Sequence, residues 1–257
     1  MTTHSHTTPR TAVVTGAGSR RGIGRATAHA LAADGYHIAV LDLDKEAAED
    51  SAREVAAAHD VQALGIAADV TDPDAVNAAA DAVETALPPV GVLVNNAGIT
   101  SPTRFLDVSA EEWDRIFDVN VRGSFLATRR LAPDMAARGF GRIIHLSSVS
   151  AERGGGVFGG VAYSAAKAAL LGFSRALARE LGPSGVTVNS VAPGLIDTNI
   201  TDGKLAPERK AALVADIPMR RVGHVTDVAA VVAFLARPDS GYLTGVTYDV
   251  NGGSHIH

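Results

Sequence analysis

A regular alternation of short apolar, β-branched runs with longer alanine-rich runs constrains this chain more than any other feature. Residues 11–15, 36–41, 62–67, 90–94, 141–146, 186–191 and 246–250 read as strands, and each but the last is followed by a helical stretch. Strands separated by helices are joined by crossovers and therefore pair in parallel. Their nearly continuous apolarity agrees, because a sheet covered on both sides has no wet face. The expectation is an α/β chain with a doubly wound, seven-stranded parallel sheet and helices on both faces. No Pro/Gly/Ser linker or solenoid repeat divides it, so one domain over residues 11–257 is expected behind a mobile tail, residues 1–10.

The first expected strand runs into Thr15-Gly16-Ala17-Gly18-Ser19-Arg20-Arg21-Gly22-Ile23-Gly24 and then a helical stretch over 25–33. Glycines in this place let the backbone approach a diphosphate closely, while the amides at the helix start face its charge. The second strand is followed by Asp42. In a dinucleotide-binding βαβ unit, an acid here accepts hydrogen bonds from the adenosine ribose and repels a 2'-phosphate, so Asp42 favours NAD. Arg21 points the other way, towards NADP, because a guanidinium pairs well with phosphate. Asp42 decides, since an uncompensated carboxylate beside the phosphate costs more than one exposed arginine returns. The other role open to Asp42, an acid at a helix start, can be filled by Asp44.

Asp69-Val70 and Asn95-Asn96-Ala97-Gly98 follow the third and fourth strands, at carboxyl ends where open α/β sheets build their ligand crevice. A long helical run, 110–138, contains Val119-Asn120-Val121. A polar Asn among apolar neighbours needs a partner, so Asn120 marks a kink or a site. Trp113 on the same run reads as packing. Strand five delivers Ser147-Ser148. Its period-two alternation puts His145 and Ser147 on one face and Leu146 on the other, with His145 read as a satisfied buried histidine. Tyr163 and Lys167, four residues apart in a helical run, project one turn above the other. An ammonium held there favours the ionised form of a phenol whose ordinary pKa is about 10.

Composition removes several classes of function. A net charge of -5 and a pI near 6.0 leave no Lys/Arg excess for nucleic-acid phosphates. The absence of cysteine removes disulfides, thiolate catalysis and cysteine-bound metals. His4 and His6 near one end, and His255 and His257 at the other, are read as exposed termini, so no metal site is expected. Residues 1–10 lack the apolar core of a signal peptide, and no run approaches the roughly 18 apolar residues that span a bilayer. The expectation is a cytoplasmic protein with no membrane or nucleic-acid partner.

Together these residues resemble the short-chain dehydrogenase/reductase family over about residues 11–253. Thr15-Gly16 with Gly22-Ile23-Gly24 resembles its cofactor loop, Asn95 to Gly98 its NNAG motif, and Ser148, Tyr163 and Lys167 its Ser, Tyr-x-x-x-Lys set. Val188-Asn189-Ser190-Val191-Ala192-Pro193-Gly194, followed by Thr198, resembles its segment over the nicotinamide. The resemblance implies a single-domain Rossmann fold that transfers a hydride between NAD(P) and a CH–OH donor. Tyr163 would be the acid in reduction and the base in oxidation, with Ser148 hydrogen-bonding the substrate oxygen. Lys167 would bind the nicotinamide ribose and lower the tyrosine pKa, and Asn120 would hold a water that continues the proton path. The expected dinucleotide contacts are Gly16, Arg21, Gly22, Ile23, Asp42, Asp69, Val70, Asn96, Ala97, Gly98, Tyr163, Lys167, Pro193, Gly194, Ile196 and Thr198.

Two spacings depart from the family. Gly16 and Gly22 stand six residues apart, two more than is common, and fourteen residues separate Ser148 from Tyr163 where twelve are usual. The second surplus lies in the glycine-rich segment 152–160, expected to be flexible and to border the substrate. The stretch 195–219, with Asp197, Asn199 and Lys204, reads as a lid. Arg153 reads as a solvated arginine, although it is placed to bind an anionic group. Asp42 and the polar lid favour an NAD-dependent oxidoreductase of a secondary alcohol or ketone on a small polar molecule such as a sugar, polyol or hydroxy acid. The alternative is an NADPH-using 3-oxoacyl-thioester (acyl-carrier-protein) reductase, which residues 188–201 resemble. A non-enzymatic dinucleotide-binding sensor is disfavoured by the full set Asn120, Ser148, Tyr163 and Lys167. The chain's end, 242–253, resembles the family's last strand and subunit contacts, which implies a homotetramer.

Overall fold

A computed structural model describes residues 10–156, 158–198 and 207–256. Seven strands form one sheet: β1 (Thr11–Thr15), β2 (His37–Asp42), β3 (Ala63–Ala67), β4 (Val90–Asn95), β5 (Gly141–Leu146), β6 (Val186–Pro193) and β7 (Thr247–Val250). Their order is β3-β2-β1-β4-β5-β6-β7, and every neighbouring pair is parallel. This is the doubly wound, seven-stranded Rossmann arrangement expected from the alternation, with strand boundaries shifted by one or two residues. The winding reverses between β1 and β4, and such a reversal opens a crevice at the strands' carboxyl ends.

Alternation along the strands divides the core in two. Val14, Val40, Val94 and Ile144 pack with α1 (Ile23–Ala33), α2 (Lys45–Ala58) and α9 (Val225–Ala236). Their neighbours Val13, Leu41, Leu93 and Ile143 pack with α3 (Pro73–Ala86), α5 (Gly123–Ala137) and α7 (Val161–Leu181). Both faces of the sheet are thus buried, which explains the absence of polar alternation in the strands. Two short helices, α6 (Ser150–Arg153) and α8 (Pro207–Ala215), flank the crevice rather than the sheet.

The long helical run is interrupted in the middle. α4 (Ala110–Phe117) passes into a π-helical turn, Asp118–Arg122, before α5 begins. Asn120 explains the slip, because its Nδ2 donates to the Ile116 carbonyl at 2.9 Å, the acceptor its own amide would use in an α-helix. The same nitrogen reaches the Ile99 carbonyl at 2.9 Å, tying the turn to the chain beyond β4. Asn120 is therefore a kink, as one of its two sequence readings proposed.

Arg10, assigned to the mobile tail by the sequence reading, is packed: its guanidinium stands 3.5 Å from the centre of the Phe140 ring. Its carbonyl accepts the His37 amide at 3.0 Å. The rest of that tail, residues 1–9 with His4 and His6, lies outside the described residues, as do His257, Val157 and residues 199–206 with Asn199 and Lys204. Among the described residues no helix is long and apolar enough to cross a membrane. Among them, too, no three His, Cys, Asp or Glu side chains are grouped to hold a metal.

Candidate active site

A cleft of about 1020 Å³ runs along the carboxyl ends of the strands, from Asp42 at the end of β2 to Ser148 after β5 and Pro193 at the end of β6. Every residue marked in the sequence as a dinucleotide contact borders it, except Arg21. The helix start facing the glycine loop suits an anion. α2, α3 and α4 are capped by the side chains of Asp44, Asp72 and Ser109, whereas α1 starts at Gly22 with no side-chain cap and no acid in its first turn. Its amides and positive dipole end are left for a ligand, and a diphosphate fits them.

The loop is tied to the sheet by Asn96. Its Nδ2 donates to the carbonyls of Thr15 at 2.9 Å and Gly16 at 2.8 Å, while Thr15 Oγ1 accepts the amides of Asn96 and Ala97 at 3.1 and 3.0 Å. The side chain of Asn96 is thus engaged with β1, and what it offers the cleft is backbone and carbonyl oxygen. Asp42 Oδ2 accepts the Gly18 amide at 2.8 Å, and Oδ1 accepts the Asp44 amide at 3.2 Å. Asp44, not Asp42, caps α2, by accepting the Ala47 amide at 3.1 Å. Arg21 turns away from Asp42, with its Nη2 3.0 Å from Asp197 Oδ1, and Arg20 pairs with Asp50 at 3.1 Å. Among the described residues no cation pairs with Asp42.

At the other end the β5–β6 ladder continues past the strand, as the amides of Ser147 and Val149 donate to the carbonyls of Val191 and Pro193 at 2.8 and 2.9 Å. Ser147 Oγ donates to the Lys167 carbonyl at 2.8 Å. Ser147 is therefore a brace onto α7. Ser148 Oγ accepts the Ser150 amide at 3.1 Å and hydrogen-bonds the Tyr163 phenol. Lys167 is 4% exposed; its Nζ donates to the Leu146 carbonyl at 2.7 Å and lies 5.7 Å from the centre of the Tyr163 ring.

Burial pushes the Tyr163 phenol above its ordinary value, and the Ser148 hydrogen bond only partly opposes the rise. The reason is desolvation, which disfavours phenolate and ammonium alike and brings Lys167 itself down to about 8. His145 is fully buried with Nδ1 2.9 Å from Ser174 Oγ, and burial together with the Lys167 cation brings it down to about 3. It is neutral and does not border the cleft. His145 and Ser147 both face α7 while Leu146 joins the opposite core, as the alternation required.

Asn120 lies beneath the cleft with no exposed surface. Its Oδ1 has no partner among the described residues. A Cβ on Gly98 would fall 2.6 Å from that oxygen and 3.2 Å from Lys167 Nζ, so both atoms close on one spot over the Gly98 backbone. The described residues of segment 152–160 border the cleft through Arg153, Gly155, Gly156, Phe158 and Gly159 and are pinned rather than loose. The Gly155 amide donates to Ser164 Oγ at 2.9 Å, the Gly160 amide to the Ser101 carbonyl at 2.5 Å, and Thr100 Oγ1 to the Phe158 carbonyl. From the expected lid, Leu195, Ile196, Thr198, Leu213, Asp216 and Ile217 border the cleft.

Sequence reasoning missed Leu43, Thr100, Ser150 and Ser254 on the cleft wall. Leu43 carried a signal, being an apolar residue directly after Asp42, and it is 75% exposed. The other three are small polar residues that no pattern distinguishes from loop.

The fold and cleft define an α/β dinucleotide-binding protein with Ser, Tyr and Lys gathered at one end of the crevice. The chain belongs to the short-chain dehydrogenase/reductase family of oxidoreductases, which bind a nicotinamide dinucleotide. Residues 16–255 match the family described as Enoyl-(Acyl carrier protein) reductase. An uncharacterized short-chain type dehydrogenase/reductase of Sinorhizobium fredii is 46% identical over 248 residues, 96% of this chain and 98% of the relative. The 3-oxoacyl-(acyl-carrier-protein) reductase of Staphylococcus aureus is 41% identical over the same shares. That of Escherichia coli is 38% identical over 95% of this chain and 97% of its own length.

Proposed function

We propose that the chain transfers a hydride between NAD(H) and a secondary alcohol or ketone of a small polar molecule, a sugar, polyol or hydroxy acid. The observation that carries this reading is the Asp42 carboxylate, held by two amides at the ribose end of the cleft with no cation paired to it among the described residues. A 2'-phosphate brought there meets an uncompensated negative charge. The nicotinamide, when bound, supplies the hydride acceptor or donor. In reduction Tyr163 gives its proton to the substrate oxygen, and Ser148, braced by the β5–β6 ladder, donates a hydrogen bond to that oxygen as charge develops on it. In oxidation the same phenol takes the proton back. Lys167 holds the nicotinamide ribose, and Asn120 Oδ1 beside it accepts from a water that carries the proton onward.

Measured dissociation constants of NADH and NADPH test the cofactor reading. Binding of NADH tighter by about tenfold or more is expected from one uncompensated charge pair, and a preference for NADPH overturns it. The second reading is a 3-oxoacyl-thioester reductase, favoured by the activity for which the relatives from S. aureus and E. coli are named. A substrate panel of polyols, sugars, hydroxy acids and acyl thioesters with both cofactors separates the two.

The chain's remaining placements belong to the same proposal. It is a single catalytic domain over residues 11–257, cytoplasmic, and assembled as a homotetramer.

A further inference from the structure

α1 carries a charged side chain that does not border the cleft. Arg25 is 3% exposed and lies behind the glycine loop. Its Nη1 meets Glu54 at 2.7 Å, and both terminal nitrogens lie 3.3–3.4 Å from Asp50 Oδ2. These two acids of α2 compensate a guanidinium that burial would otherwise penalise heavily. Its Nη2 also donates to the Gly18 carbonyl at 2.9 Å, a bond that charge compensation does not require.

Gly18 is the residue whose amide holds Asp42 Oδ2 at 2.8 Å. The amide and the carbonyl flank one Cα, so the two bonds together fix both dihedrals of Gly18. The fit is close: a Cβ there would fall 2.9 Å from the Asp42 carboxylate and from Ala47 Cβ. The surrounding loop is two residues longer than the family's usual spacing, and a longer glycine-containing loop has more conformations to lose on ordering. Arg25 restricts that loop from behind, through a charge-assisted bond to its backbone.

We propose that Arg25 is a positioning residue for adenosine-end recognition: through Gly18 it orients the Asp42 carboxylate towards the ribose hydroxyls and so sets the discrimination between NAD and NADP. The proposal deepens the NAD reading above and rests on it. With Gly18 and Asp44 holding one lone pair on each oxygen, the remaining lone pairs have a defined direction. Without the Arg25 bond the loop relaxes, and the carboxylate loses its aim at the hydroxyls and swings from an incoming 2'-phosphate.

Calorimetric titration of NADH and NADPH into the full chain tests this in wild type, Arg25→Met, Arg25→Lys, Asp42→Ala and the Arg25→Met/Asp42→Ala double variant. Arg25→Met is expected to weaken NADH binding about tenfold and NADPH binding less than about twofold, the size of one lost charge-assisted contact. Arg25→Lys keeps a cation between the two carboxylates of α2 but lacks the second arm for Gly18, so its ratio falls between. In the Asp42→Ala background, Arg25→Met leaves the ratio unchanged, since the two residues act as one unit. Equal weakening of both cofactors, as a merely structural role gives, overturns the proposal, and so does a ratio change that persists without Asp42. If Arg25→Met does not fold, Arg25→Lys decides alone. The wild-type ratio judges the NAD reading separately: a wild type that prefers NADPH sinks that reading, while the Arg25 proposal stands or falls on whether substitution moves the ratio through Asp42.

Discussion

Burial raises the Tyr163 phenol above its ordinary value, so at neutral pH it stands protonated, the state from which the proposed reduction of a ketone would start. Its partner Lys167, one turn along α7, is held by donating to the Leu146 carbonyl at the end of β5. In the proposed reaction, replacing Tyr163 by Phe removes the proton and keeps the ring that packs beside Ser148. Turnover is expected to fall by about 10²–10⁴-fold, the usual worth of a positioned acid, while the dissociation constant of NADH changes little. Steady-state rates and cofactor titration check the two halves, and turnover at the wild-type rate would reject the assignment. His145 makes a separate prediction at this scale. Its folded pKa, about 3, lies below the ordinary 6.5, so between those values the unfolded chain binds a proton that the folded chain refuses. Stability from this group is complete above pH 6.5 and is lost by roughly 1.4 kcal/mol per pH unit as the pH falls below it. Urea denaturation at pH 7.5, 6.5 and 5.5 is expected to show a shallower acid loss for His145→Gln than for wild type. Parallel losses would mean that other groups govern the acid limb.

At the scale of elements, the strands were legible because a sheet buried on both faces writes continuous apolar runs into the sequence, and the carboxyl ends of those runs located Asp42, Asn96 and Ser148. The π-helical turn was half legible. A polar residue between Val119 and Val121 announced a kink, but nothing in the spacing said that Asn120 would take the Ile116 carbonyl and leave Oδ1 facing Lys167. Side-chain direction inside a helix depends on which neighbouring carbonyl wins, and that competition is three-dimensional. The pairing of Arg21 was not legible for a similar reason, since Asp197 is 176 positions away in sequence and comes within 3.0 Å only in the fold. The junction of β4, the π-helical turn and α7 meets over Gly98, where an added methyl group has nowhere to go. Gly98→Ala must displace Asn120 Oδ1, and overpacking of this kind costs about 1–3 kcal/mol. Its melting temperature is expected to fall by roughly 2–12 °C for a domain of this size, with turnover reduced more than about tenfold because the proton-carrying water of the proposed mechanism is crowded. A variant that melts lower yet turns over normally would show that the spot over Gly98 is structural only.

For the whole molecule, two of the exposed apolar surfaces among the described residues bear on assembly. One is a hollow of about 360 Å³ between the π-helical turn, α5 and α7, lined by Phe117, Val121, Phe125 and Phe173. The other flanks the free edge of β7, where Phe234, Tyr242 and Val246 are 45%, 100% and 41% exposed. An edge strand with exposed aromatic neighbours is a pairing hazard unless something covers it. A closed tetramer with three perpendicular two-fold axes needs two different self-complementary faces on each subunit, and these two surfaces satisfy that count. The proposed homotetramer then makes a graded prediction. Phe125→Asp places a charge in the first surface and leaves the second intact, so light scattering after gel filtration is expected to find dimers in place of tetramers rather than monomers. Phe125 does not border the cleft, so the dimer is expected to retain its affinity for NADH. A Phe125→Asp protein that remains tetrameric removes this hollow from the assembly, and a wild type that runs as a monomer removes the assembly itself.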